Sequence, residues 1–365
     1  MSRLAGNSLI PFLILVLLVG CREVSRNPAA SSGCEYAGCF DILFCDEDSS
    51  KVSGVVSISP FDGSRDTLLL GSPIGKIVCM STSDVAALSV LDADFVVVAV
   101  SGIRYVSDPD IRKRYGSASD PVYDIGAEHS IDYERIVSLQ PDVVTAYVVG
   151  KSEPPFLSKL RSLGLKVFIV YNHLEEHPLA RAEYVRLFGA MTGRLEEADA
   201  FFSQVRDRYL SLSVCNVTEP VKVLINAPYS DAWYIPGKDS YMSTIIRDAG
   251  GAVLGSSDGF LSSVISLEDA YLLSLEADVW LCPGHSSSRE ELSGVHHLFP
   301  SFGPLEKGLP ICNNNRITTP GGGNDFWESG SMRPDLVIED LRNIFDGIRD
   351  TGAPLHRQYN YFLNF

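Results

Sequence analysis

Aromatic rings, one arginine and one histidine recur in the short polar segments that follow apolar runs of this chain. Arg104 and Tyr105 follow VVVAV, Tyr147 follows DVVTA, and Tyr229, Trp233 and Tyr234 follow VLIN. His285 follows VWLCP, and Phe326 and Trp327 sit in GGGNDFWE. Flat rings with polar tips suit a bulky conjugated or macrocyclic ligand. The guanidinium of Arg104 can pair with an anion, and His285 carries a side chain of metal-ligand type. Each residue also has a structural reading: rings near turns as partial core, Arg104 paired with Asp108 or Asp110, and His285 as a hydrogen-bonded loop residue.

Catalytic signatures do not emerge. No G-x-S-x-G, P-loop or G-x-G-x-x-G stands in a strand–turn–helix setting, and Gly-rich PGGGNDF reads as a tight turn or a close backbone approach. The seven histidines are scattered apart from His296-His297, which argues against direct capture of a bare metal ion. Thirty Lys+Arg against 46 Asp+Glu give a formal charge of -16, which argues against a nucleic-acid partner. Cys34, Cys39 and Cys45 crowd together, while Cys79, Cys215, Cys282 and Cys312 are dispersed. Without C-x-x-C spacing they read as disulfides or buried thiols rather than a metal site.

The elements that must carry these residues are legible as alternation. KIVCMS, DFVVVAVS, DVVTAYVV and LKVFIVY are short β-branched runs separated by helical segments such as TSDVAALSVL and PPFLSKLRSLG. Strands alternating with helices predict an α/β fold with parallel sheets, and ligands in such sheets lie beyond the strands' carboxyl ends. Residues 35–70 alternate apolar and polar stretches and predict a short antiparallel hairpin. SIDYERIVSLQPDVV (Ser130–Val144) is echoed 136 residues later by SLEDAYLLSLEADVW (Ser266–Trp280), which predicts two similar Rossmann-like lobes. Between them, helical periodicity from about Pro178 to Leu212 predicts a spine of about 45 Å, kinked at Thr192–Gly193.

At the N-terminus, Arg3 precedes an apolar run that ends in VLLVGC. The run is too short for a transmembrane helix, which needs about 20 residues, and fits a secretory leader. Leu-Val-Gly-Cys resembles the lipobox of bacterial lipoproteins, in which the cysteine, here Cys21, is acylated and becomes the mature N-terminus.

From Lys76 to Leu341 the chain resembles the substrate-binding proteins of bacterial ABC importers, in the helix-spine class (class III) that handles iron–siderophore complexes, haem and vitamin B12. The resemblance rests on IDYERIVSLQPDVVTAY, SKLRSLGLKVFIV, the spine, WYIPGKDSYMSTIIRDAGG, SLEDAYLLSLEADVW and RPDLVIEDL. It implies a leader over 1–20, a linker over 21–33, an N-terminal lobe over 34–174, a spine helix over 175–213 and a C-terminal lobe over 214–365. It implies a monomeric, non-enzymatic periplasmic protein without a cofactor of its own, lipid-anchored to a membrane through Cys21. Its ligand would be a metal chelate delivered to an inner-membrane ABC permease, with Glu153 and Asp248 as docking acids; Arg247 holds the position usually acidic beside Asp248. The expected ligand is an iron complex, ferric siderophore or haem, with cobalamin or another corrinoid as the alternative. In that setting His285 would ligate haem iron or replace an axial ligand of a corrinoid. A haem- or corrinoid-binding lipoprotein serving an outer-membrane receptor, or a chelatase-like enzyme, would use the same lobes.

Overall fold

The computed structural model describes residues 33–45, 50–214, 217–229, 232–350 and 355–365. Cys21, the leader and most of the linker lie outside the described residues, as does Cys215. The chain begins with an antiparallel sheet of three strands, β1 (Phe40–Phe44), β2 (Val52–Ile58) and β3 (Arg65–Leu69), one strand more than a hairpin.

The first parallel sheet follows. Its strands are β4 (Ile77–Cys79), β5 (Val97–Val100), β6 (Tyr123–Asp124), β7 (Val143–Ala146) and β8 (Val167–Ile169), in the order β6-β5-β4-β7-β8. The connecting helices are α1 (Thr82–Ser89), α2 (Pro109–Arg114), α3 (Tyr133–Leu139) and α4 (Pro155–Ser162). Side chains leave a strand on alternate faces. Ile77 and Cys79 therefore join the core under α1, whereas Val78 and Met80 join Phe156, Leu157 and Leu160 of α4. α4 starts on Pro155, whose fixed φ suits a first turn, and stops before Gly164 at φ 80°.

The connection between the sheets differs from a single spine helix. It is three helices, α5 (Pro178–Ala182), α6 (Tyr184–Thr192) and α7 (Leu195–Leu212). Gly193 ends α6 in the left-handed region at φ 74°, and Arg186 Nε reaches Asp199 Oδ1 at 2.6 Å. Those residues would stand about 20 Å apart on a continuous helix, so the chain folds sharply at the dipeptide expected only to kink it. A β-carbon on Gly189 would lie 2.5 Å from that of Ala198, so the crossing admits no side chain there.

The second sheet takes β9 (Val221–Ile225), β11 (Gly251–Val253), β13 (Val279–Leu281), β14 (Ile311–Asn313) and β15 (Leu363–Asn364) in the order β11-β9-β13-β14-β15, with only β15 antiparallel. A two-stranded ribbon, β10 (Trp233–Ile235) with β12 (Ser263–Ile265), stands apart from it. The helices are α8 (Tyr241–Asp248), α9 (Leu267–Ser274), α10 (Arg289–Val295), α11 (Gly303–Glu306), α12 (Ser329–Met332) and α13 (Pro334–Arg349).

The internal echo has a physical cause. In both copies a capped helix, α3 or α9, feeds a buried strand, β7 or β13, through an aspartate. Asp142 accepts from the backbone N–H of Lys76 at 2.9 Å, and Asp278 from that of Lys222 at 2.8 Å. Each carboxylate thus ties the start of its strand to the start of the neighbour, β4 or β9.

Two buried carboxylates hold the chain's first described segment. Glu183 Oε1 accepts from Glu35 N at 2.7 Å and Oε2 from Tyr36 N and Ala37 N, both at 2.8 Å. Glu175 Oε1 accepts from Gly38 N and Cys39 N at 2.9 Å. The ring of Tyr36 stacks on His177 at 5.1 Å, and Glu35 pairs with Arg206 at 2.6 Å. Cys34, Cys39, Cys45, Cys79, Cys282 and Cys312 are all free thiols.

Candidate ligand-binding cleft

The carboxyl edges of the two sheets meet along a seam. The segment after β5 carries Arg104 to Asp108, and the segment after β14 carries Thr319 to Glu328. Thr319 Oγ1 donates to Arg104 O at 2.7 Å, and Glu328 accepts from Ser107 N at 2.7 Å and Asp108 N at 3.3 Å. A β-carbon at Gly321 would lie 2.5 Å from Arg104 O, and one at Gly323 2.0 Å from Tyr105 O. The Gly-rich run is therefore a close backbone approach, made to the opposite lobe. α12 adds a second contact by packing on α1.

Burial pushes the Glu328 carboxyl up to about 7 from an ordinary 4.5. A carboxyl raised in this way contributes its full stability below the unfolded value and loses it as pH climbs through the folded one. Relative to wild type, Glu328→Gln should gain on the order of 2–3 kcal/mol between pH 4.5 and 7, read as unfolding free energy in urea at each pH. A constant difference across that window would contradict the assignment. Burial also raises Asp84 to about 7 and Asp340 to about 6, so the wild-type slope has the same sign.

Beside the seam, Arg104 lies over the Tyr105 ring with its guanidinium carbon 4.6 Å from the centroid, and its terminal nitrogen contacts the phenol oxygen. It forms no ion pair with Asp108 or Asp110. Trp327 immediately precedes Glu328 and is 49% exposed, so the seam brings Arg104, Tyr105 and Trp327 to one stretch of the edge. On the second lobe Tyr229 is 79% exposed, and Tyr234 pairs across the ribbon with exposed Val264. Asn226 Nδ2 donates to Tyr234 O at 2.8 Å, which ties the ribbon to the carboxyl end of β9. Tyr147 is half-buried, edge-on to His173 at 5.7 Å, and burial raises its phenol to about 12.

Two expected ligand residues are core instead. Trp233 is 1% exposed, stacks on Trp280 at 5.9 Å and on Phe302 at 5.9 Å, and donates its indole N–H to Ile225 O. Phe326 is 1% exposed and packs edge-on against Trp327, Tyr361 and Phe362. On a strand alternate residues face opposite ways, so Tyr234 is turned out because Trp233 is turned in.

His285 is exposed on the loop after β13. Cys282 and Asn226 both adopt positive φ, 55° and 70°, at the ends of adjacent strands. Such backbone in a non-glycine residue persists only where neighbours hold it. Here Cys282 N donates to Cys312 O at 2.9 Å, and Trp280 donates its indole N–H to Asn226 O at 2.7 Å. Asn313 donates to Gly284 O and Ser286 O, and Asn315 to Ser286 O. The run NNN that begins on the last residue of β14 was the available sign of these loop-holding amides, which sequence reasoning did not single out. Among the described residues no three of His, Cys, Asp and Glu gather to hold a metal ion.

Neither expected docking acid takes part in the seam. Glu153 is exposed and paired with Arg161. It borders a cavity of about 500 Å³, lined also by Phe61, Arg65, Lys151 and Tyr171, between the β2–β3 turn and the loop after β7. Asp248 accepts from the Tyr209 hydroxyl at 2.7 Å, so one of its oxygens is already engaged by α7, while neighbouring Arg247 is more exposed.

Two parallel-stranded lobes with opposed carboxyl edges, rimmed by exposed rings, define a two-lobed binding protein. Residues 77–296 match the periplasmic binding protein family, and the chain belongs to it. It is similar to an uncharacterised lipoprotein of Methanocaldococcus jannaschii, 25% identical over 308 residues that cover 81% of this chain and 70% of the relative. Among solved structures it is similar to a periplasmic binding protein of Veillonella parvula (TM-score 0.58, 16% identity, 80% of this chain and 98% of that one). It is also similar to two Vibrio cholerae proteins. One is a periplasmic haem-binding protein (0.56, 17%, covering 73% and 98%), and the other a periplasmic vitamin B12-binding protein (0.51, 15%, covering 76% and 99%). No described helix is long and apolar enough to cross a membrane.

Proposed function

We propose that this protein is the lipid-anchored, monomeric, periplasmic receptor of an ABC importer, held to the membrane through Cys21, and that it captures an iron complex, ferric siderophore or haem, between its lobes. The observation that carries this reading is the set of exposed rings, Tyr105, Tyr229, Tyr234 and Trp327, along the carboxyl edges of two sheets welded at one seam. Rings without a metal-ligand cluster suit a metal that arrives already wrapped in an organic chelate. The haem-binding relative of Vibrio cholerae supports the iron reading; the vitamin B12-binding relative supports a corrinoid as the second. Loaded protein would dock on the permease with Glu153 as the first-lobe acid and Asp248 as a weaker second contact. Exposed pairs of this kind are worth about 0–1 kcal/mol and guide orientation more than affinity. The seam and the folded spine favour small lobe movements on binding.

The test is a fluorescence titration of the mature protein with haemin, aquocobalamin and a ferric siderophore panel. Trp233 and Trp280 are sealed in core, so Trp327 is the indole a ligand can reach. Saturable quenching by one class at submicromolar concentration, lost in Trp327→Phe without loss of thermal stability, is expected. Absence of binding across all three classes, checked by equilibrium dialysis, would overturn the proposal.

A further inference from the structure

We propose that the groove on the outer flank of the first lobe is a second binding site, one that takes a small zwitterion of dipeptide size. The groove encloses about 500 Å³, within the range of small-molecule sites. An extended dipeptide, at about 3.5 Å per residue, fits inside it. One wall is the β2–β3 turn, with Phe61, Asp62 and Asp66; the other is the segment after β7, with Lys151; Ile169 and Tyr171 at the end of β8 form the floor. Its position sets it apart from the interlobe seam. β8 is the edge strand of its sheet, whereas the seam follows β5, on the far side of β4. The turn that builds the first wall also precedes residues 77–296, the stretch that matches the family.

The groove is shaped before anything enters it. Ser57 Oγ donates to Ile169 O at 2.6 Å and fastens β2 to β8. The turn is closed by Ser59 N donating to Ser64 O and Gly63 N donating to Ser59 O, both at 2.9 Å, with Gly63 at φ 72°. Phe61 stands edge-on to buried Tyr171 at 6.4 Å. Walls fixed in this way leave little for binding to order.

The charges then select the ligand. Two of the lining cations are already matched, Arg65 by Asp41 at 3.0 Å and Arg161 by Glu153. What remains is one cation facing two carboxylates across the groove. Among the described residues the side chains of Lys151 and Asp66 have neither an ion pair nor a hydrogen bond. Asp62 bonds only within its own turn, accepting from Ser64 N at 3.1 Å and from Ser64 Oγ at 2.8 Å. A simple anion would meet the two aspartates, and a simple cation would meet Lys151. A zwitterion satisfies both walls, with its carboxylate on Lys151 and its ammonium between Asp62 and Asp66. An apolar side chain on the same molecule covers Phe61, Ile169 and Tyr171.

The experiment titrates the mature protein, by calorimetry and equilibrium dialysis, with phenylalanylglycine and glycylphenylalanine. Each is also tested with its amino end acetylated or its carboxyl end amidated. A free-ended dipeptide should bind one to one, and blocking either end should weaken binding about tenfold or more. Lys151→Ala should weaken the free dipeptide by the same factor and abolish the difference between acid and amide. The double variant Asp62→Asn, Asp66→Asn should abolish the difference between free and acetylated amine. All three side chains are exposed, so thermal unfolding should not move. Absence of binding by either free dipeptide at millimolar concentration would overturn the inference. So would binding that ignores the blocked ends or the substitutions, and neither result would touch the proposed capture between the lobes.

Discussion

Glu183→Ala should destabilise the folded body by about 3–5 kcal/mol, the range for stripping one partner from a buried, hydrogen-bonded charge. The carboxylate has no solvent-exposed surface, and it satisfies three consecutive backbone N–H groups of residues 35–37. It also pairs with Arg186 at 3.0 Å. Alanine would leave those three donors without acceptors at the bend between α5 and α6, each costing about 1–3 kcal/mol if it stays buried. Partial release of the segment would relieve some of this, which is why the total is set below the sum. Glu183→Gln keeps one acceptor and should cost less. Urea denaturation of the three proteins orders them, and an alanine variant within about 0.5 kcal/mol of wild type would show that the segment is held by other contacts.

Trp233→Ala should cost a further 3–5 kcal/mol, in the range for emptying a large aromatic site in a packed core. Trp233 sits in a cluster with Trp280, Phe299 and Phe302 whose ring centroids lie 5.0–6.2 Å apart, and its indole N–H is satisfied by Ile225 O. Alanine removes the stacking and leaves that carbonyl to other partners. The ligand effect should be indirect, following the loss of fold. Trp327→Ala, at an exposed site, should shift stability by no more than about 0.5 kcal/mol while weakening ligand binding. Equal melting temperatures for the two variants would contradict this assignment.

The contrast between those tryptophans marks how far the sequence could be read. Both follow apolar runs in polar, turn-like segments, and composition alone treats them alike. What separates them is the parity of a three-residue strand, Trp233 in and Tyr234 out, and a strand that short gives too little alternation to fix its register. Phe326 and Trp327 divide in the same way within a single turn of helix. The lobes were legible because the main strands of the first sheet are rich in β-branched residues and because the echo includes Asp142 and Asp278, which perform the same hydrogen-bonding task twice. The spine was over-read: apolar spacing runs through Gly193 on both sides, and it takes the close approach of Gly189 to Ala198 and the Arg186–Asp199 pair to show that the chain turns back. The seam was the least visible feature, since Glu328 looks like an ordinary charge until Ser107 and Asp108 stand opposite it.

The grip of Glu175 and Glu183 on residues 35–39 fixes where mechanical load enters the body. A pull through the N-terminal segment is carried by α5–α7, which lie between the lobes and belong to the path joining them. Tension applied at the N-terminal segment would therefore act on the connection between the lobes and have little leverage to prise their carboxyl edges apart.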